Sequence, residues 1–346
     1  MTNRAANASQ VSAPVALIGA GAIAEGFYLP ALAKRPGALD QLVLVDSNAG
    51  RAKAVAARFG ISRWGTDYRD LLSEMRGAIV AVPHHLHFPI AMELLERRVH
   101  VLCEKPLTEN AADARRLVST AKENGVTLSV NLTRRLAPHS EYLKKTIGEG
   151  AIGRVLSIEY LDGSEFRWPT TSGFYFDSTL SNRGVLLDIG SHVLDLICWW
   201  LGTTPTLVSS SSDSFGGYEA VADVQLRSGD CEIHVRLSRL AKLPNTIRIR
   251  GEHGHIKAGV YDSGSVTVAS SDGRERVVRL DRRAATSAVF AARVLENFYA
   301  VIRGEAEVML PAEDVVRSLE LIDTAYQTAR RFALPWYESL GVTNVG

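Results

Sequence analysis

"ALIGAGAIAEG", Ala16–Gly26, decides how the first half of this 346-residue chain is built. An apolar run stops at Gly19, and Gly19, Gly21 and Ala24 follow the spacing G-x-G-x-x-A where a helix begins. The first glycine allows a tight turn, the second lets backbone approach a pyrophosphate, and a small third residue lets helix pack on strand. Ala22 and Ile23 complete the turn, and the phosphates of a dinucleotide would sit on the helix N-terminus. A glycine turn with no ligand is the competing reading. Asp46 closes the next apolar run, "QLVLVD", 22 residues after Ala24. A carboxylate there accepts hydrogen bonds from ribose hydroxyls, although Asp46 as an ordinary helix N-cap is the alternative. Because a carboxylate repels a 2′-phosphate, NAD is the expected cofactor and NADP the less favoured one.

Outward from this turn, short β-branched runs alternate with helical patterns as far as residue 133. "PVALIGA", "QLVLVD", "AIVAVP", "VHVLCE" and "VTLSVN" are expected strands, with a weak one near Ile61 to Trp64. Helices are expected over Ala22 to Lys34, Ala49 to Phe59, Leu86 to Arg97 and Asn110 to Asn124. Strands joined by helices of this length form right-handed crossovers and a parallel sheet covered on both faces. After residue 150 the spacing shortens. Residues 154–163, 206–213, 218–227, 231–239, 244–251, 254–260, 264–270 and 275–280 have antiparallel strand patterning, with helices at 184–201, 286–303 and 312–332. The expected fold class is α/β. An N-terminal Rossmann domain, a doubly wound parallel sheet, takes residues 14–133. An α+β domain with a largely antiparallel open sheet takes 134–346, and 1–13 form a frayed leader. The second sheet needs its other face covered, and a homodimer or homotetramer formed through it is one way.

Composition narrows the class. Apolar residues make up 46% and charged residues 22%, with a formal net charge of +1. Neither a nucleic-acid nor a membrane surface is expected from that balance. Cys103, Cys198 and Cys231 are scattered and set in apolar contexts, which fits buried thiols in a reducing cytoplasm.

Three polar clusters interrupt the apolar pattern. In "VPHHLHFP", Pro83 stops a strand and His84, His85 and His87 crowd the following turn. Without a well-spaced set of further ligands no metal is expected there, and a turn facing the cofactor, with at least one histidine exposed, is the better reading. In "HVLCEKPLTEN", Glu104, Lys105 and Pro106 end a buried strand, either as a charged helix entry capped by Thr108 or as chemistry. In "NRGVLLDIGSHVLDLICWWLG", Asp188, His192 and Asp195 fall at i, i+4 and i+7, one polar stripe on an otherwise apolar helix. Asp188 and His192 on adjacent turns can pair, raising the imidazole basicity. A structural carboxylate beside a satisfied core histidine is the alternative.

With these residues together, the sequence resembles the Gfo/Idh/MocA family of NAD(P)-dependent oxidoreductases over nearly its whole length. "GAGAIA", "PHHLH", "HVLCEKPLT", "NLTRRLAP" and "GVLLDIGSHVLDL" match the family's segments in order. The resemblance implies an active site of Lys105, Asp188 and His192, a cis peptide before Pro106, and cofactor contacts that extend to Pro83, His87, Glu104 and Lys105. It implies a dehydrogenase acting on a secondary hydroxyl of a sugar, amino sugar, nucleotide sugar or cyclitol. Alternatives are an NAD-dependent glycosidase using transient oxidation, and a non-catalytic NAD-binding regulator. Two departures stand out: His84 where the family usually has Asn, and "SNRG" in place of a glycine run. Substrate contacts are expected from Asn131, Arg167, Trp168, Tyr175 and His192, with Trp168, Phe174 and Tyr175 stacking on a sugar ring. A lid or an oligomer contact is the other reading of that loop.

Overall fold

The computed structural model describes residues 14–167, 177, 180, 183–214 and 218–332. The leader and the expected contacts Trp168, Phe174 and Tyr175 lie outside the described residues.

Six parallel strands form the first sheet: β1 Val15–Ile18, β2 Leu42–Val45, β3 Arg63–Gly65, β4 Gly77–Val80, β5 His100–Cys103 and β6 Leu128–Val130. Their order, β3-β2-β1-β4-β5-β6, reverses direction between β1 and β4, and ligands bind beyond the strand ends at such a reversal. β1, β2 and β4 are buried throughout, which is why they read as unbroken apolar runs. The expected helix from Ala22 is present, but its first part, Ala24–Tyr28, is wound as a wider π-type turn before Leu29–Leu32. Asn110, not Thr108, caps the helix Ala111–Asn124, its side chain accepting the Asp113 N–H at 2.9 Å.

Nine strands form the second sheet: β7 Val155–Gly163, β8 Thr206–Ser212, β9 Val221–Ser228, β10 Cys231–Ser238, β11 Thr246–Gly251, β12 Gly254–Gly259, β13 Ser265–Ser270, β14 Glu275–Arg279 and β15 Arg330–Arg331. All pairs are antiparallel except β7 with β10 and β8 with β15. One face carries Ile158, Tyr160, Val224, Val235 and Ile249, all buried against helices. The other carries Glu159, Asp223, His234, Arg236 and Arg248, with Arg248 on Glu159 at 2.7 Å and His234 on Asp223 at 2.9 Å. The same face continues through Lys257 and Thr267 to Val277, which is 55% exposed, so it is mixed in character: charged and paired at its centre, with an apolar side chain towards its β14 edge.

The end of the chain returns to the first sheet. Helix Ser287–Ile302 packs on the helix Leu29–Leu32, and helix Glu313–Thr328 packs on Ala111–Asn124. Between them, Leu310 accepts the Val130 N–H at 3.1 Å and the Ser129 hydroxyl at 3.0 Å, closing the β6 edge. The helix Pro138–Gly148 had no counterpart in the expected elements.

Candidate active site

A cavity of about 960 Å³ runs along the strand ends of the first sheet, from Gly19 and Asp46 to Lys105 and His192. At one end, Gly19 has φ +101°, and a Cβ there would lie 2.2 Å from the Ala81 carbonyl oxygen. Only glycine satisfies both constraints. Gly21, Ala22 and Ile23 line the cavity, while Ala24 is buried under the helix as the small packing residue. Asp46 lines it too, accepting the N–H groups of Ala20 and Asn48 at 2.9 Å each. It does not cap the next helix, because Asn48 does, accepting the Arg51 N–H at 2.9 Å. A glycine turn that backbone can approach, with an acidic side chain at the neighbouring strand end, fits the pyrophosphate and ribose of a dinucleotide.

The ends of β4 and β5 make the middle of the cavity. His87 is fully buried, with Nδ1 2.7 Å from the Pro106 carbonyl and Nε2 2.9 Å from the Val82 carbonyl, so it straps the two turns together. Burial pulls its pKa down to about 4 against the help of those carbonyls. His84 is buried and also held below the ordinary imidazole range, by burial, His87 and Lys105. None of the three histidines is exposed, contrary to expectation; Leu86 takes the exposed position of the turn. Glu104 accepts the Tyr28 hydroxyl at 2.8 Å and the Asn131 amide at 2.6 Å, which ties three segments at the strand ends. The Lys105–Pro106 peptide is cis.

The second sheet's helix supplies the far end, and here the stripe drawn from the helical wheel is redistributed. The expected single helix 184–201 is two: Val185–Asp188 and Gly190–Leu201. Glu219 starts it, accepting the N–H groups of Gly184 at 2.9 Å and Leu186 at 2.8 Å. At the break the His192 N–H bonds to Ile189 rather than to Asp188. That frees the Asp188 carbonyl, which accepts Lys105 Nζ at 3.0 Å while Oδ1 of the same residue accepts it at 2.5 Å. Arg239 holds Oδ2 at 2.8 Å. Burial alone would raise the Asp188 carboxyl, but Lys105 and Arg239 hold it well below the carboxylate range. Asp188 therefore pairs with two cations and makes no hydrogen bond to His192. Nδ1 of His192 is buried with no hydrogen-bond partner among the described residues. Burial first, then Lys105 and Arg134, keep the imidazole well below its ordinary pKa, so it is neutral near pH 7. Asp195 leaves the stripe altogether, bonded to Arg135 at 2.5 and 2.7 Å.

Lys105, Asp188 and His192 thus meet in one cavity with the Gly19 turn. Asn131 lines it but commits its amide to Glu104. Arg167 stands at its rim, 82% exposed and paired with Glu165. Sequence reasoning quotes Arg134 within "NLTRRLAP" but gives it no role there, and it does not single out Arg239 or Glu219; Arg239 sits just after β10 in a position with no local signal.

Residues 14–132 match the family described as an oxidoreductase family with an NAD-binding Rossmann fold, and 140–257 match the GFO/IDH/MocA C-terminal domain. Among relatives, 1,5-anhydro-D-fructose reductase of Ensifer adhaerens is 28% identical over 88% of this chain and 92% of its own. Levoglucosan dehydrogenase of Pseudarthrobacter phenanthrenivorans is 30% identical over 46% of this chain, a match spanning 42% of that protein. The fold is shared with a 3-ketoreductase from Actinomadura kijaniata in complex with NADP and TDP-benzene, at TM-score 0.79, 24% identity, and coverage of 94% of this chain and 100% of that one. The two domain matches together cover more than half of the chain, which therefore belongs to the Gfo/Idh/MocA family of NAD(P)-dependent oxidoreductases and carries its NAD-binding Rossmann domain.

Proposed function

We propose that this protein is an NAD-dependent dehydrogenase that oxidises one secondary hydroxyl of a sugar, amino sugar, nucleotide sugar or cyclitol, the reverse ketone reduction being open to the same groups. The supporting observation is that Lys105 and His192, brought from different sheets, line one cavity with the dinucleotide turn. NAD held at the Gly19 turn and by Asp46 would supply a hydride acceptor for the substrate carbon. His192, neutral at pH 7, takes the hydroxyl proton as the C–O bond becomes C=O. Lys105 keeps one N–H beyond the two given to Asp188, and that donor stabilises alkoxide character on the same oxygen. Asp188 aims the ammonium. Asp46 meets the ribose hydroxyls and favours NAD over NADP.

The relatives' printed names, a levoglucosan dehydrogenase and an anhydrofructose reductase among them, support a carbohydrate substrate. We also propose a cytoplasmic location, which suits three buried free thiols. Assembly as a homodimer or homotetramer through the open face of the second sheet would rest on charge pairs, and sedimentation at low and high salt measures it. The activity test is a panel of sugars and cyclitols incubated with protein and NAD and read by NADH absorbance. Turnover of at least one member supports the reading; tight NADH binding with no turnover across the panel favours a non-catalytic binder.

A further inference from the structure

Asp188 holds the Lys105 side chain at its ammonium end only. An ammonium on a flexible stem is aimed well only when the backbone that carries it is fixed too. Glu104 fixes that backbone. Its Oε2 accepts the Lys105 N–H at 3.2 Å, while Oε1 accepts the Tyr28 hydroxyl at 2.8 Å and the Asn131 amide at 2.6 Å. Every partner donates, which is the setting of a carboxylate. Burial pushes the Glu104 carboxyl above its usual pKa, and Asn131, Tyr28 and Lys105 work against that rise.

Tyr28 is the member of this group with no other task. It has no exposed surface and is not among the residues lining the cavity, whereas its neighbour Phe27 is. It lies 76 residues from Glu104 in the chain, so their bond is a tertiary contact and not a by-product of a local turn. Burial first, and then Glu104, hold the phenol far above its ordinary pKa, so it stays a donor at neutral pH. Tyr28 also ends the π-type turn Ala24–Tyr28, which begins at the third residue of the dinucleotide motif. Such turns are rare and recur at functional sites. A buried tyrosine in this chain does not have to be paired in this way: the Tyr299 hydroxyl is buried with no hydrogen-bond partner.

From this geometry we infer that Tyr28 is a positioning residue for Lys105. Through Glu104 it ties the helix that opens at the dinucleotide turn to the backbone of the lysine, so cofactor and ammonium share one frame. The inference rests on the dehydrogenase reading above and deepens it. Tyr28 touches neither substrate nor cofactor and moves no proton. It acts through the place it gives to Glu104, as a distant contact can when reacting groups must meet within a fraction of an ångström.

The test is Tyr28→Phe in the full chain, which removes one oxygen, with Tyr299→Phe as the control that loses no hydrogen bond. Turnover is measured with NAD and whichever sugar or cyclitol of the panel above is oxidised. In Tyr28→Phe kcat is expected to fall about 10- to 100-fold, with the KM for that substrate and the NADH affinity within a few fold of wild type. A second readout needs no turnover: backbone hydrogen exchange over residues 104–109, followed by mass spectrometry, is expected to quicken there and not across the rest of the first sheet. Tyr299→Phe is expected to change neither. If Tyr28→Phe fails to accumulate, Glu104→Gln takes its place with the same expectations for kcat and exchange. Either readout left at its wild-type value overturns the inference, as does faster exchange throughout the molecule or a loss of NADH affinity that matches the loss of kcat. Should no panel member be oxidised by the wild type, the dehydrogenase reading fails and exchange alone decides: quickening confined to 104–109 supports the placement of Lys105 by Tyr28, and any other pattern overturns it.

Discussion

The two ends of the cavity are built by opposite means. The dinucleotide end is mostly backbone: a glycine turn, a helix start and one carboxylate held by two N–H groups, all within Gly19 to Asn48. The proposed reacting end is mostly charge, and its members are far apart in the chain: Lys105 from the first sheet, Asp188 and His192 from a broken helix, Arg239 from the second sheet. A backbone cradle tolerates no added atom but needs no partner, whereas buried charges work only as a complete set.

The sharpest way to break this contrast is Lys105→Ala. Asp188 keeps Arg239 as a partner, so the fold holds, while kcat is expected to fall about 10²- to 10⁴-fold. NADH affinity, measured by fluorescence titration, should stay within a few fold; a matching loss of affinity would mean that the two ends are not separable. Gly19→Ala should give the reverse pattern. Its methyl meets the Ala81 carbonyl and its φ of +101° disfavours any side chain. The strain, about 1–3 kcal/mol, is expected in NADH affinity and in Tm together.

A smaller effect is expected at Asp46. Asp46→Ala should narrow the ratio of NAD to NADP KM about tenfold, since a charged acceptor for the ribose is lost; an unchanged ratio would remove Asp46 from cofactor choice. The smallest effect is one of pH. The His192 pKa is lowered, so the ring stays unprotonated as pH falls through 7 and gains its proton only below the ordinary value. The kcat/KM for oxidation should vary less than about twofold between pH 6.5 and 8 and fall only below that window. A midpoint above pH 7 would show that another group is the base.

The dinucleotide end was legible in the sequence because its logic is local. Gly19, Gly21, Ala24 and Asp46 each act at a spacing set by one strand, one turn and one helix. Eight of the nine strands of the second sheet were legible for the same reason, since alternation is a nearest-neighbour property; β10 and β13 start and end within a residue or so of expectation, whereas β15, Arg330–Arg331, falls within the helix expected at 312–332, which ends at Thr328. What escaped depends on chain crossings. The helical wheel placed Asp188 and His192 as partners because it assumed an unbroken helix, whereas the His192 N–H turns to Ile189 at the break and Lys105 takes the Asp188 carbonyl. Arg239, 51 residues from Asp188, carries no periodic signal at all. Asp195 did carry one, as the third member of the polar stripe, but its partner Arg135 lies 60 residues away and could not be read from the wheel.

The return of the chain's end onto its beginning bears on how the molecule comes apart. Gly77 in β4 lies so close to Ile302 that an added Cβ would sit 2.5 Å from its Cδ1, and Ala111 donates its N–H to Asp323 at 2.8 Å. Residues 14–133 taken alone would lose the helices that cover β6 and one flank of the first sheet, and would present that apolar surface to water. The two sheets are thus spliced rather than strung, so a nascent chain emerging from the ribosome cannot complete the first before the last helices are made. Unfolding is expected to be a single concerted event, in which the dinucleotide cradle and the charged end are lost together.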